Sequence, residues 1–323
     1  MSRRGLGAAA VRWGTDVGPV VEVRVCTTPD RKKPPVCKDG YAIIDTGAPN
    51  TYLAAGNLPK EMFPPGFLKA KGDTACYLGM EKGVEVCQAK AEFTFPGCAE
   101  GTTIPVRVAP RELPRRNVFA LLGIDVLKAV GATVHPERSP RTILACRRGR
   151  KPRAPYRLGR ACGGGDPRIC GHVTVCPPGV KNDKDPGCIG LKAIFDTGAA
   201  VTALSATFPQ TPERALLFPV VGATSGGTSW EGEQSTPQPV IEASISTPGC
   251  GQWALHPTIL PPWNPLPLGA DVLVGMDYLR EAKVELRPWA KPPFATCKKW
   301  HSGRRRPTAI APQVEDAPGA IEW

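Results

Sequence analysis

The sequence predicts an all-β protein built from two similar lobes. Three observations lead there: a composition rich in turn formers, stretches of alternating apolar and polar residues, and an internal duplication. Of 323 residues, 37 are Pro and 35 are Gly, while aromatics make up only 7%. That balance interrupts long helices and suits short strands joined by many turns. Alternation marks strands at Val20-Val21-Glu22-Val23-Arg24-Val25 and at Ala89-Lys90-Ala91-Glu92-Phe93-Thr94-Phe95 in the first half. In the second half, Val240-Ile241-Glu242-Ala243-Ser244-Ile245 reads as the matching strand. The helical candidates are few and short, the clearest being Asp125 to Val130 and Asp277 to Ala282. No stretch approaches the length needed to span a membrane as a helix.

The duplication is read from fixed spacings. Asp-Thr-Gly occurs at Asp45-Thr46-Gly47 and again at Asp196-Thr197-Gly198. Each is preceded by apolar residues (Ala42-Ile43-Ile44, Ala193-Ile194-Phe195). Each is followed by Ala and, six residues after the Asp, by Thr51 or Thr202. A second landmark lies 78 residues beyond Asp45, at Gly123 of Ala120-Leu121-Leu122-Gly123-Ile124-Asp125-Val126-Leu127. Its partner lies 79 residues beyond Asp196, at Gly275 of Val272-Leu273-Val274-Gly275-Met276-Asp277-Tyr278-Leu279. Cys26, Cys37, Cys98 and Cys146 recur as Cys176, Cys188, Cys250 and Cys297, displaced by 150 to 152 positions. Two copies of a unit of about 130 residues follow, each large enough for its own core. The expected divisions are an N-terminal extension (1–17), a first lobe (18–146), a basic linker (147–169), a second lobe (170–297) and a basic, disordered tail (298–323).

Twelve cysteines form an even set without any Cys-x-x-Cys, and the four histidines (His135, His172, His256, His301) stand apart. Metal-ligand spacing is absent, so no metal or other cofactor is expected. A disulfide framework accounts for the cysteines better than free buried thiols do. The expected pairs are Cys26–Cys37 and Cys176–Cys188 across hairpins, Cys98–Cys146 and Cys250–Cys297 from the middle of each lobe to its end, and Cys76–Cys87 and Cys162–Cys170 locally. Such a framework leans toward an extracytoplasmic or secreted setting. The apolar run Leu6 to Val11 is too short for a normal signal-peptide core, which leaves the natural start, the export route and the thiol state open.

The net charge of +12 is unevenly placed. Arg147, Arg148, Arg150, Lys151, Arg153, Arg157 and Arg160 crowd the region between the copies, and Lys298, Lys299, Arg304, Arg305 and Arg306 follow the second. With Pro and Gly among them, these read as a solvated linker and tail; the other reading is a patch for polyanions or an anionic surface. Aromatics are not interleaved with the charges, which argues against specific nucleic-acid recognition.

The two motifs carry the chemistry. Apolar residues before each Asp mark a buried strand, and Gly47 and Gly198 permit a tight turn after it. If the copies meet about a pseudo-twofold axis, the two carboxyls meet there too. Like charges that close cannot both ionise, so the pair holds one proton. The ionised member then takes a proton from water, and the protonated member polarises a substrate carbonyl. Thr46 and Thr197 are expected to bond to main chain of the opposite lobe and keep the loops in register. The Leu-Leu-Gly and Leu-Val-Gly landmarks are expected as buried strands beside the Asp loops, with Gly for close backbone approach.

On these residues the chain resembles a retropepsin-like aspartic protease duplicated and fused into one pepsin-like, two-lobed molecule. The resemblance rests on Asp45-Thr46-Gly47-Ala48 with Leu121-Leu122-Gly123, and on Asp196-Thr197-Gly198-Ala199 with Leu273-Val274-Gly275. It covers roughly residues 18 to 297. It implies the acid-protease β-barrel fold with pseudo-twofold symmetry, and an endopeptidase whose catalytic pair is Asp45 and Asp196, supported by Thr46, Gly47, Thr197 and Gly198. A polypeptide substrate and a monomer are implied as well.

The chain departs from the retroviral pattern in two places. Retroviral relatives often carry Arg after the landmark Gly, paired with an acidic residue two positions past Asp-Thr-Gly. Here those places are Ile124 and Met276 against Pro49 and Ala200, so the lobes are expected to hold together by packing and covalent fusion. The hairpin that closes over substrate also differs between copies. Gly79-Met80-Glu81-Lys82-Gly83, with Tyr77, is the candidate in the first; Gly226 to Gly232, with Trp230, is the candidate in the second. Either could close alone. The competing reading is a catalytically silent peptide-binding protein on the same fold. A serine hydrolase is disfavoured, because Gly227-Thr228-Ser229-Trp230-Glu231-Gly232 has the wrong spacing for a nucleophile turn.

Overall fold

The computed structural model describes residues 19–297, except for 29–31, 33, 65–66, 76–83, 97, 99–100, 110–116, 137–143, 147–158, 164, 181–182, 210, 224–236, 261–265 and 291–292. The first copy contributes β1 (Val20–Thr27), β2 (Val36–Ile44), β3 (Tyr52–Ala54), β4 (Lys69–Ala75), β5 (Val84–Thr94), β6 (Thr102–Ala109), β7 (Val118–Leu122), α1 (Ile124–Ala129), β8 (Ala132–Val134) and β9 (Leu144–Cys146). The second contributes β10 (Gly159–Gly163), β11 (Asp166–Cys176), β12 (Ile189–Phe195), β13 (Ala203–Leu204), α2 (Pro212–Ala215), β14 (Val220–Ala223), β15 (Pro239–Ile241) and β16 (Ala243–Thr247). It continues with β17 (Gly251–Leu255), β18 (Thr258–Ile259), β19 (Val272–Val274), α3 (Met276–Glu281), β20 (Val284–Arg287) and β21 (Phe294–Cys297). The fold is all-β and two-lobed, with a few short helices, as the composition predicts.

The two copies repeat one pairing pattern. In the first lobe β1 and β2 are antiparallel, β2 and β7 parallel, β3 and β7 antiparallel, β3 and β6 parallel, and β5 returns to β1 antiparallel. The second lobe runs β11–β12, β12–β19, β13–β19, β13–β18 and β11–β16 in the same senses. With β5 also pairing β6, the first ring closes into a barrel with β4 on its flank. Closure removes exposed sheet edges. The rings enclose large apolar side chains, among them Phe93 and Phe119 in the first lobe and Phe195 and Tyr278 in the second, each at 0% exposure. Each such burial stabilises by about 1.5–3 kcal/mol.

Beyond the rings the lobes share a sheet. Strand β8 of the first copy pairs with β20 of the second at Val134 and Leu286, positions equivalent under the duplication, so the pseudo-twofold axis passes between them. β9 lies outside β8, while β21 and β10 continue the sheet beyond β20. Trp289 Nε1 donates to Thr133 Oγ1 across the same boundary at 3.1 Å. β10 and the start of β11 fall inside the interval 147–169 that the sequence marks as linker.

Five of the expected disulfides are present: Cys26–Cys37, Cys98–Cys146, Cys162–Cys170, Cys176–Cys188 and Cys250–Cys297. The sixth is corrected. Cys87, which stands opposite Ala70 in the β4–β5 ladder, is a free thiol. Cys76 itself lies outside the described residues.

A second correction concerns the strand expected over Val240 to Ile245. It breaks at Glu242, whose N–H donates to Pro219 O at 3.1 Å. On either side the chain changes partners: Ile241 pairs with Val220, and Ala243 with Leu255. Apolar alternation runs through the bend because Ile241, Ala243 and Ile245 are all buried on either side of it. The basic runs expected as solvated linker and tail lie almost entirely outside the described residues.

Candidate active site

β2 and β12 are the strands that deliver the two acids. Each runs parallel to a landmark strand, and the ladder extends one residue past its end. Asp45 N–H donates to Leu122 O at 2.9 Å, and Asp196 N–H donates to Val274 O at 3.0 Å. Behind each loop sits the landmark glycine. A Cβ on Gly123 would collide with the Asn50 backbone, and one on Gly275 with the Val201 backbone. Close approach therefore requires glycine at both places. Just after them, Ile124 N–H donates to Ala48 O at 2.9 Å and Met276 N–H to Ala199 O at 2.8 Å. Ile124 and Met276 are both buried, as expected for lobes held together here by packing.

Between the lobes Thr46 and Thr197 exchange reciprocal bonds. Thr46 N–H donates to Thr197 Oγ1 at 3.1 Å, and Thr197 N–H donates to Thr46 Oγ1 at 3.0 Å. Each hydroxyl then donates to the carbonyl before the opposite Asp, Thr46 Oγ1 to Phe195 O at 2.9 Å and Thr197 Oγ1 to Ile44 O at 2.7 Å. Both threonines are at 0% exposure, so four buried main-chain groups depend on two hydroxyls. Leaving such groups unpaired costs about 1–3 kcal/mol each.

This clamp brings Asp45 and Asp196 face to face. Gly47 N–H donates to Asp45 Oδ1 at 2.9 Å and to Asp196 Oδ1 at 3.1 Å, so one amide touches both carboxyls. Ala48 N–H adds a bond to Asp45 Oδ1 at 2.9 Å, and Gly198 N–H one to Asp196 Oδ1 at 2.7 Å. Each loop glycine abuts the opposite acid: a Cβ on Gly198 would stand 2.5 Å from Asp45 Cγ, and one on Gly47 would strike the Asp196 carboxyl.

Asp45 is half-buried by surface, yet densely walled. Burial raises its pKa well above the ordinary carboxylate range; the neighbouring Asp196 carboxyl pushes the same way. Bonds from Ala48 and Gly47 oppose the rise and do not cancel it. The arrangement can hold one proton between two acids and offer both an acid and a base to a molecule placed against them.

Outside the pair stand two acids whose contacts the sequence reading missed. Asp125 and Asp277 lie in the landmarks, and they meet Thr51 and Thr202. Thr51 Oγ1 donates to Asp125 Oδ1 at 2.5 Å and Thr51 N–H to Asp125 Oδ2 at 2.9 Å. Thr202 Oγ1 donates to Asp277 Oδ1 at 2.7 Å and Thr202 N–H to Asp277 Oδ2 at 2.9 Å. The signal was present in the sequence: Thr falls six residues after each Asp-Thr-Gly acid, and Asp two residues after each landmark Gly. The hairpin candidates Tyr77, Met80 and Trp230 lie outside the described residues. Among the described residues, no cluster of His, Cys, Asp and Glu is arranged to hold a metal, and no helix is long and apolar enough to cross a membrane.

Burial also raises the pKa values of Asp125 and Asp277, against the opposing bonds from their threonines. With Asp45, three carboxyls are thus harder to ionise folded than unfolded. Below the unfolded value of about 4 all three are protonated in both states. As pH rises through the raised values, the unfolded chain releases these protons first, and stability is lost. Thermal unfolding followed by circular dichroism is expected to give a higher midpoint near pH 4 than near pH 7. A flat profile in which Asp45→Asn behaves like the parent would refute the assignment.

Comparison with protein-family models finds no match for this chain, and comparison with curated proteins finds none either.

Proposed function

We propose that the chain is an aspartic endopeptidase of the two-lobed, pepsin-like kind, with Asp45 and Asp196 as its catalytic pair. The observation that carries this reading is the meeting of two carboxyls from duplicated loops at one amide, Gly47 N–H, which donates to both, with Asp45 favoured in its acid form. Asp45 then holds the shared proton and hydrogen-bonds the scissile carbonyl oxygen. Asp196, ionised and supported by Gly47 and Gly198 amides, accepts a proton from the attacking water.

Water oxygen bonds to the carbonyl carbon while the Asp45 proton passes to the carbonyl oxygen, giving a neutral gem-diol. Asp196 next delivers its proton to the amide nitrogen, the C–N bond breaks, and a gem-diol hydroxyl returns a proton to Asp45. No covalent acyl-enzyme is needed and the pair ends as it began. The buried, mirrored threonine clamp supports the reading because it keeps both acids at fixed separation without any contribution from substrate. A polypeptide is the substrate, a monomer carries both acids, and five disulfides suit an oxidising compartment.

The test is cleavage of a denatured protein from pH 2 to 8, with and without a pepstatin-type inhibitor. Bell-shaped, inhibitor-sensitive cleavage is expected, because the pair works only with one proton on it. Intact substrate at every pH, with the inhibitor still bound, would leave the silent peptide-binding reading.

A further inference from the structure

We infer that Asp125 and Asp277 are positioning residues for the proposed reaction, each clasping through a threonine the loop that carries one member of the acid pair. The inference rests on the endopeptidase reading for what is positioned, and on mirrored geometry for how.

The first loop leaves β2 at Asp45 and enters β3 just after Thr51. Three ties bind it to the β7–α1 corner. Asp45 N–H bonds to Leu122 O, and Ala48 O accepts from Ile124 N–H. The third is the Thr51–Asp125 clasp. Gly123 N–H donates to Thr51 Oγ1 at 3.0 Å, which commits the hydroxyl proton to Asp125 Oδ1. Val126 N–H also donates to that oxygen, at 2.7 Å, and Thr51 N–H fills the other. The carboxylate therefore accepts three bonds and is asked to donate none. An amide or a protonated acid in its place would set a hydrogen against the Thr51 N–H.

The second lobe repeats every contact. Gly275 N–H donates to Thr202 Oγ1 at 3.1 Å, Tyr278 N–H to Asp277 Oδ1 at 2.8 Å, and Thr202 supplies the two bonds already given. Helix capping alone does not account for this. A cap needs only an N–H of its own first turn, whereas these acids also reach threonines 74 and 75 residues away. The donors facing each acid are neutral: Thr51 and Val126 for Asp125, Thr202 and Tyr278 for Asp277. Burial, which resists ionisation of both, makes the clasp lose its charge at higher pH than an ordinary aspartate would. Its protonation then contributes to the acid limb of the rate profile.

Asp125→Asn, Asp277→Asn, Thr51→Val and Thr51→Ser separate this role from simple stabilisation. The readouts are kcat and KM for cleavage of denatured protein, the 13C titration of the Asp45 and Asp196 carboxyls, and amide exchange at Thr51 and Gly123. Asp125→Asn and Thr51→Val are expected to lower kcat between about 10- and 100-fold with KM within about twofold, since small misplacement of reacting groups carries that penalty. They should also displace the Asp45 titration and speed Thr51 exchange, while Thr51→Ser stays close to the parent. Asp277→Asn should lower kcat in the same way.

Folded Asp125→Asn and Thr51→Val proteins with parental kcat and parental Asp45 titration would overturn the inference. If Asp125→Asn does not fold, the contrast of Thr51→Val with Thr51→Ser decides. Should the parent cleave nothing, the endopeptidase reading fails, and the titration and exchange measurements still decide whether the clasp positions the acids.

Discussion

Replacing Asp45 or Asp196 by Asn is expected to lower cleavage of a denatured protein by about 10⁴-fold, the upper range for loss of a positioned acid or base, without unfolding the molecule. Asn keeps the size of Asp, and its carbonyl can still accept from Gly47 and Ala48 at position 45, as Asp45 Oδ1 does. Its amide hydrogen takes the place of the shared proton toward the other carboxyl. Structure is retained, but no proton can be exchanged with substrate.

Stability should move the other way. Asp45 resists ionisation because it is buried beside Asp196, so at neutral pH it weakens the fold, and Asn removes that weakness. Asp45→Asn is therefore expected to unfold at higher temperature than the parent near pH 7 and to differ little near pH 4. Undiminished cleavage by either Asn variant would exclude the catalytic pair. Lost cleavage accompanied by lost structure would be visible in the same melting curves.

The second large effect is steric. Gly123→Ala and Gly275→Ala are each expected to destabilise by about 3 kcal/mol, the upper range for forcing a methyl group into packed surroundings. The added Cβ would meet main-chain atoms of Asn50 or Val201, and behind them Ala48 O at 2.9 Å or Thr202 N at 2.8 Å. Main chain cannot swing aside as a side-chain tip can. Relief has to come from the loop itself, and that loop starts at an acid of the proposed catalytic pair, so cleavage should fall together with stability.

Gly190→Ala is the control. It lies in β12 with nothing within 4 Å of the added Cβ, and it should be neutral or stabilise by up to about 1 kcal/mol by restricting the unfolded chain. Urea denaturation of the three variants measures the contrast. Equal midpoints for Gly123→Ala and Gly190→Ala would show that the close approach behind Asp45 is not rigid.

Local pattern carried much of the fold. The strand read at Val20 falls within β1, the one read at Ala89 runs one residue past the end of β5, and the two short helices start within one residue of their expected positions. Four cysteine pairs followed from repeat offsets and hairpin spacing, and Cys162–Cys170 from being left as a local pair. Glu242 and Cys87 mark where such reasoning failed. Alternation records which face is buried but not which strand is the partner, and loop spacing does not record hairpin register.

By itself the sequence determined that one unit occurs twice, that each copy ends a buried strand in Asp-Thr-Gly, and that a glycine landmark returns beside it. Only the tertiary structure decided that Thr46 and Thr197 bond reciprocally, that Gly47 reaches both acids, that β8 and β20 join the lobes in one sheet, and that Asp125 and Asp277 hold Thr51 and Thr202. The physical reason is range. Strand periodicity and turn chemistry act over a few residues, whereas these contacts, apart from the bond of Gly47 to Asp45, join positions 74 to 152 residues apart. They form only once the two lobes have packed about their common axis.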